Sequence, residues 1–357
     1  MSSANPAPAA AASAGSSYEF SVGNAAEDGG AVVRVWAEGG LSAGDAKANK
    51  LRYDWFYLRN PQGQGRPNWL RQGAQAVGFL GIGSRKVLLA GETLAAGVLV
   101  DFVVVPQHRS AFPALMLQRR GREQALASMQ VIYGLPDTKA VLVCKRLESH
   151  VKFDLPRYTR VVRSGTYLER LLPRWAAKPL AVFTDTLDWI GMRLQLALTS
   201  GVGQWVKEFD ASFDALWAAY GKSDLCIGVR DRDFLQWRFG DQPGRSYQTF
   251  VVRREGELRA YFVCEIGGQT LRVKDCLALG SERELRIALL MLALAARSSR
   301  LNAVEIQIAA APAFARALRR AQYVLRSHRP FFAVVAEAVR SRALSARWYI
   351  TQADEDV

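Results

Sequence analysis

The 357-residue sequence predicts an α/β protein of two related domains, and three observations carry that expectation. The chain is more than twice the roughly 150 residues of an ordinary domain. Leu94–Val105 (LAAGVLVDFVVV) is a nearly uninterrupted apolar, β-branched run, which suits a central strand covered on both faces. The order of strand-like and helix-like segments in the first half returns in the second.

In chain order, residues 1–17 (MSSANPAPAAAASAGSS) form an Ala/Ser/Pro tail without the basic and apolar regions of a secretory signal. Folded texture begins at Tyr18. Ala31–Ala37 (AVVRVWA) alternates like a half-buried strand, and Gly73–Leu89 holds two short apolar stretches. Pro106 ends the long apolar run. Ala114–Ala127 then reads as a helix, with Leu115, Leu117 and Leu126 set among Arg, Gln and Glu. Met129–Tyr133 is strand-like, Asp137–Glu148 helical and Val151–Arg163 extended. In the second half Gln204–Tyr220 reads as strand then helix, followed by strands at Thr249–Arg254, Ala260–Ile266 and Thr270–Leu279. Arg283–Ala296 is a helix, Ala303–Ala309 a strand, Pro312–Ala321 a helix and Phe331–Ala336 a strand. Trp55-x-Tyr57 with Pro61 matches Trp237-x-Phe239 with Pro243 at identical offsets, which supports a duplication. The expected organisation is a tail at 1–17, a domain at 18–172, a helical linker at 173–203, a second domain at 204–345 and a tail at 346–357.

Apolar residues make up 50% of the chain and charged residues 22%, which excludes a wholly disordered protein. Lys and Arg total 47 against 33 for Asp and Glu, a net charge of +14 that favours polyanionic partners such as CoA phosphates, nucleic acid or anionic lipid. A solvated basic surface accounts for it equally well. Cys144, Cys226, Cys264 and Cys276 form no CxxC, and the three histidines (His108, His150, His328) stand apart, so no zinc site and no other metal is expected. Free thiols fit a reducing, cytoplasmic setting. The longest apolar run, around Ala288–Ala296, falls short of the ~20 residues of a membrane helix, so no transmembrane segment is expected.

The most informative stretch is DFVVVPQHRSAFPALMLQRRG. Arg109 offers a phosphate-matching guanidinium, and Ser110–Phe112 lead into a helix whose first turn has unpaired N–H groups, a setting that binds phosphate. This strand–loop–helix resembles the GNAT superfamily of acyl-CoA-dependent N-acyltransferases. The family's pyrophosphate loop, Gln/Arg-x-x-Gly-x-Gly/Ala, is matched by Arg109, Ser110, Ala111, Phe112, Pro113 and Ala114, with Phe112 where the central Gly stands. The family's later helix, Asn-x-x-Ala-x-x-x-Tyr, is matched in offset by Asp137, Ala140 and Cys144, with a thiol in place of the phenol that protonates the departing CoA. The resemblance spans about 18–172 and 204–336.

The resemblance implies two tandem GNAT-like domains, each a mixed, mostly antiparallel sheet flanked by helices. It also implies acyl-CoA, acetyl-CoA foremost, as co-substrate, and a small-molecule or peptide amine as acceptor. Val103, Val104 and Val105 would lie against pantetheine, Cys144 would act as acid, and Tyr133 at the end of the fifth strand is a further polar candidate. For each there is a plainer reading: Cys144 as a small buried residue, Tyr133 as a strand residue closing the core. No carboxylate stands out as base, since Asp101 sits far up its strand and Glu92 lies in a turn. The second domain is expected to have lost the site, because Ser281 and Glu284 form an S-x-x-E capping box at the equivalent helix and Leu318 replaces the acid.

Two alternatives are a non-catalytic acyl-CoA-binding module and a nucleic-acid-binding protein using Arg119-Arg120, Arg253-Arg254 and Arg316–Arg320. These clusters carry no recognised reader motif and read better as a solvated face, so no nucleic acid is expected. A tRNA-dependent aminoacyltransferase of the Fem type also doubles this fold, but no long coiled-coil arm is visible. GIGSRKV at Gly81 lacks the third glycine of a dinucleotide fingerprint, and GxxxxGK[ST], HExxH and GxSxG are absent. Acceptor, acyl length and oligomeric state are not specified by these residues.

Overall fold

The computed structural model describes residues 18–41, 44–138, 140–197, 199–221 and 224–355, so the expected tail at 1–17 lies outside the described residues. The first half runs β1 (Tyr18–Val22), α1 (Ala25–Gly39), α2 (Ala46–Tyr53), β2 (Arg66–Gln72), β3 (Gln75–Leu89), β4 (Glu92–Val104), α3 (Ala111–Leu126), β5 (Val131–Gly134), α4 (Val141–Arg146) and β6 (Val151–Val161). A connector follows, α5 (Gly165–Leu168) and α6 (Arg174–Leu196). The second half contains β7 (Gly201–Val206), α7 (Ala211–Ala218), β8 (Leu225–Gly228), α8 (Arg232–Leu235), β9 (Gln248–Arg254), β10 (Glu257–Gly267) and β11 (Thr270–Ala278). It closes with α9 (Glu282–Ser298), β12 (Ala303–Gln307), α10 (Pro312–Arg320), β13 (Val324–Val335), α11 (Arg340–Ser345) and β14 (Arg347–Tyr349).

One expected strand is a helix. Ala31–Ala37 lies inside α1, where Val32, Val35 and Trp36 are buried at helical spacing. Asn24 caps the start of α1 through the N–H of Ala26, and Gly40 at φ 76° ends it. Alternation over seven residues was the weaker pattern, because the same residues also satisfy the i, i+3, i+4 rule. Asp137–Glu148 is helical only over Val141–Arg146. The 346–357 segment, expected as a tail, instead supplies β14, whose three residues are too short a run to show in the sequence.

Fourteen strands among the described residues form one mixed, mostly antiparallel sheet, with the path β1-β2-β3-β4-β5-β13-β6-β12-β11-β10-β9-β7 and with β8 and β14 attached beside β3. The centre of that path is an exchange between the halves. The last strand of the first half, β6, pairs with β12 and β13, while β13 inserts between β5 and β6. Each half therefore completes its sheet with a strand from the other, and one buried core runs through both.

The duplicated Trp motifs meet at this junction. Both lie on single π-helical turns, Asp54–Leu58 and Gln236–Gly240. Trp55 and Trp237 stack at 4.9 Å with 17° between their planes. Each indole donates to the other's carbonyl, Trp55 Nε1 to Trp237 O at 2.7 Å and Trp237 Nε1 to Trp55 O at 3.0 Å. The reciprocal pair marks a local two-fold relation between the halves.

Candidate functional site

The site begins where two parallel strands part. β4 and β5 pair only through Ala96–Val98 and Val131–Tyr133, and separate beyond. A bulge shapes β4 at this point: its register with β3 shifts between Phe79 and Gly81, and Asp101 adopts φ 52°. The bulge turns the Asp101 carboxylate toward α1 and α2, where it accepts hydrogen bonds from Tyr57 Oη at 2.7 Å and from Arg52 Nη2. Gly81 makes this possible, since a Cβ there would stand 1.9 Å from the Tyr57 hydroxyl. The glycines of GIGSRKV thus admit aromatic side chains rather than a dinucleotide. Burial and the Asp101 charge push the Tyr57 phenol well above its ordinary value, so it stays a donor.

A cavity of about 210 Å³ occupies the split and passes through the sheet. Leu41, Arg52 and Asp101 line it on the α1–α2 side; Gln118 and Arg122 of α3 and Cys144 of α4 line it on the other. Arg122 donates weakly to Cys144 Sγ at 3.6 Å and to Glu148 O at 3.3 Å. Its Nε and the Gln118 Oε1 are buried without a hydrogen-bond partner, one donor and one acceptor a helical turn apart on α3. Burial pushes the Cys144 thiol up, with Arg122 opposing part of that shift. Asp137 caps the turn leading into α4 through the N–H of Ala140 at 2.7 Å, which fixes where Cys144 falls.

The residues expected from the sequence divide clearly. Val105 donates its N–H to Val77, so alternation along β4 directs the N–H groups of Val103 and Val105 to β3 and only that of Val104 into the split. Arg109 stands at the entrance to α3, but its Nε bonds Val104 O at 2.9 Å and its Nη2 bonds Gly39 O at 2.6 Å. It clamps the end of β4 to the end of α1. Ser110 is the N-cap residue of α3 with no capping bond from its side chain, leaving the first-turn N–H groups of Ala111, Phe112 and Ala114 uncapped by it. Phe112 is 65% exposed, with its ring 6.1 Å from that of Tyr18. Pro113 is buried and has no N–H to offer. Tyr133 lies outside the cavity: its ring stacks on Phe331 at 5.9 Å in the core, and burial drives its phenol up.

Asp101, set aside in the sequence as too far up its strand, lines the cavity. Counting along an ideal strand places it too far from the end, and nothing in the run LVDFVV announces the bulge. Its one visible signal was a charged residue inside an otherwise apolar central strand.

The second half carries a parallel arrangement that the chain itself fills. β11 and β12 pair only through Thr270–Val273 and Ala303–Ile306, and a bulge in the β10–β11 pairing precedes Asp275. There Tyr349 Oη donates to Cys276 O at 2.6 Å, Thr351 Oγ1 to Asp275 at 2.7 Å, and Arg230 is buried between Asp275 and Asp354. Ser281 and Glu284 form a complete capping box on α9. The basic clusters are largely ion-paired: Arg316 and Arg320 with Glu282, Arg253 with Asp210, Arg254 with Glu284 and Arg120 with Glu123. Among the described residues no His/Cys/Asp/Glu group could hold a metal, and no helix is long and apolar enough to cross a membrane.

No protein-family model and no curated protein sequence matches this chain. Its structure, however, is similar to solved ones. A GCN5-related N-acetyltransferase from Anabaena variabilis superposes with a TM-score of 0.62 at 12% identity, over 93% of this chain and 75% of that one. A probable N-acyltransferase from Enterococcus faecalis gives 0.61 at 12% identity, over 91% and 74%. N-myristoyltransferase from Saccharomyces cerevisiae, with bound myristoyl-CoA, gives 0.51 at 12% identity, over 90% and 79%. The chain has the fold of the GCN5-related N-acyltransferases, present twice. At these coverages both halves superpose on a single neighbour chain.

Proposed function

We propose that the chain is an acyl-CoA-dependent N-acyltransferase whose first half carries the reaction, with an amine of a small molecule or peptide as acceptor. The observation that carries this reading is the cavity through the β4–β5 split, with a carboxylate at one mouth and a thiol at the other. The residues present suit acyl-CoA. The side-chain-uncapped start of α3 offers donors to the diphosphate, and the unpartnered Gln118 Oε1 and Arg122 Nε match an amide N–H and C=O of the kind pantetheine carries. Myristoyl-CoA in the yeast neighbour is that protein's ligand; here acetyl-CoA is the simplest donor for so small a cavity.

Bound acyl-CoA supplies an activated thioester carbonyl. The Val104 N–H, directed into the split, donates to the carbonyl oxygen as negative charge grows there. Asp101, held by Arg52 and Tyr57, receives the cationic acceptor amine from the α1–α2 side, passes its first proton to solvent to free the lone pair, and takes the second as the C–N bond forms. Cys144, kept as a neutral thiol by burial, provides a proton on the α3–α4 side for the leaving sulfur. Acid and base thus work from opposite faces of the sheet. The second half, with its split filled by residues 349–354, supports the first and binds no acyl-CoA. Its reduced cysteines suit a cytoplasmic enzyme.

CoA release measured across a panel of amines tests this. Asp101→Asn is expected to lower kcat/KM by about a hundredfold, the low end for a general base, while acetyl-CoA still raises the melting temperature. Undiminished turnover in Asp101→Asn excludes that residue as the base. Failure of every acyl-CoA to stabilise the native chain, together with salt-sensitive DNA binding, favours the nucleic-acid alternative. Stabilisation without turnover of any amine favours a binding module.

A further inference from the structure

The connector between the halves presents an anomalous surface. Ten of the twenty large apolar side chains exposed among the described residues fall between Leu171 and Leu194. On α6, Trp175, Phe183, Leu187, Ile190 and Leu194 recur at helical spacing as one stripe, with exposures of 82%, 62%, 54%, 41% and 69%. The opposite face does the packing, through Ala177, Ala181 and Met192. Single exposed apolar residues need no explanation, but a contiguous stripe on a 23-residue helix does.

The charges around the stripe choose the occupant. Both carboxylates of α6 turn inward: Asp185 accepts from the Ser164 N–H and Asp188 pairs with Arg160. Outward, Arg170, Arg174, Lys178 and Arg193 are exposed and form no ion pair among the described residues, with Glu169 the one nearby acid. A second copy would bring this basic fringe against itself, on a chain already at +14. An anionic bilayer complements it: the apolar face enters the headgroup boundary while Lys and Arg reach lipid phosphates and Trp175 sits at interfacial depth. Too polar to span, α6 is long enough to lie in the membrane plane for about 35 Å.

We propose that α6 and the preceding turn seat this protein on an anionic lipid surface as a peripheral membrane protein. The apolar area continues onto the second half, where Val202 of edge strand β7 is 62% exposed beside Leu194 and Met291.

The test is flotation of the full chain with vesicles of mixed phosphatidylglycerol and phosphatidylcholine, against pure phosphatidylcholine. Binding to the anionic vesicles is expected, with a blue shift of Trp fluorescence that Trp175→Ser reduces. Phe183→Ser/Leu187→Ser should abolish binding, and Arg174→Glu/Lys178→Glu should lower the partition coefficient about tenfold or more. All these positions are exposed, so the melting temperature should hold. No binding to anionic vesicles, or binding unchanged in Phe183→Ser/Leu187→Ser, overturns the proposal. So does a dimer in sedimentation that Phe183→Ser/Leu187→Ser dissolves while lipid binding is absent, because the stripe is then a self-interface.

Discussion

At the α3–α4 mouth of the cavity the Cys144 thiol sits 3.6 Å from Arg122 Nη2, and at the α1–α2 mouth Asp101 is held by Arg52 and Tyr57. The resemblance singled out the thiol, through the offsets of Asp137, Ala140 and Cys144, and the structure places Cys144 on the cavity; its role as acid belongs to the proposal. Its environment also fixes a sign. Burial raises the thiol above the usual cysteine range, so at pH 7–8 it holds less thiolate than a free cysteine and alkylates slowly. Iodoacetamide should therefore modify Cys144 more slowly than glutathione, and slower still with CoA bound; fast labelling would remove it as a neutral acid. Cys144→Ser and Cys144→Ala are both expected to lower turnover, and if both keep full activity the residue only packs. Asp101 was illegible because its face depends on a bulge with φ 52°, a tertiary feature that no alternation count reports. Arg109 illustrates a third case: the residue type suggested phosphate, but the two carbonyls it clamps come from β4 and from α1, 70 residues away.

Among the elements, the paired π-helical turns join the halves. The matching offsets of the Trp motifs revealed a repeat, yet not that the two copies touch, since pairing between copies leaves no mark in either. Truncating Trp237 removes a stacked ring and its indole bond to Trp55 O, while the bond from the Trp55 indole to the backbone carbonyl of residue 237 keeps its acceptor. Trp237→Ala is expected to destabilise the chain by about 3–5 kcal/mol, the range for a buried aromatic, read in urea melts. A loss below about 1 kcal/mol would show the stack to be incidental. The segment β14 to Asp354 is a second such element. Asp354→Ala leaves Arg230, fully buried, with one carboxylate in place of two, and a loss of about 3 kcal/mol is expected. The sequence hid this element because three strand residues followed by a short turn resemble an ordinary chain end.

The whole molecule is governed by the exchange of β6 and β13. Most individual strands were visible as apolar runs, but the swap was not, because β6 reads the same whether it pairs at home or across. Its consequence is cooperative. In a fragment ending at residue 172, β6 would lose both of its strand neighbours, and β5 would lose β13. Such a fragment should not fold alone, whereas the full chain should unfold in one transition; two separated calorimetric transitions would contradict the exchange.

In the proposed function, acyl-CoA binds once, through the split in the first half. Equilibrium titration of acetyl-CoA into three proteins tests it most directly. Glu282→Ala alters only the second half. Gly134→Leu fills the split from β5, where an added Cβ meets Leu99 at an ordinary 3.5 Å and the fold should survive. The unaltered chain and Glu282→Ala should each bind one equivalent with the same affinity, and Gly134→Leu, still folded by circular dichroism, should bind none. Two equivalents per chain, or one that Gly134→Leu leaves intact, would contradict it.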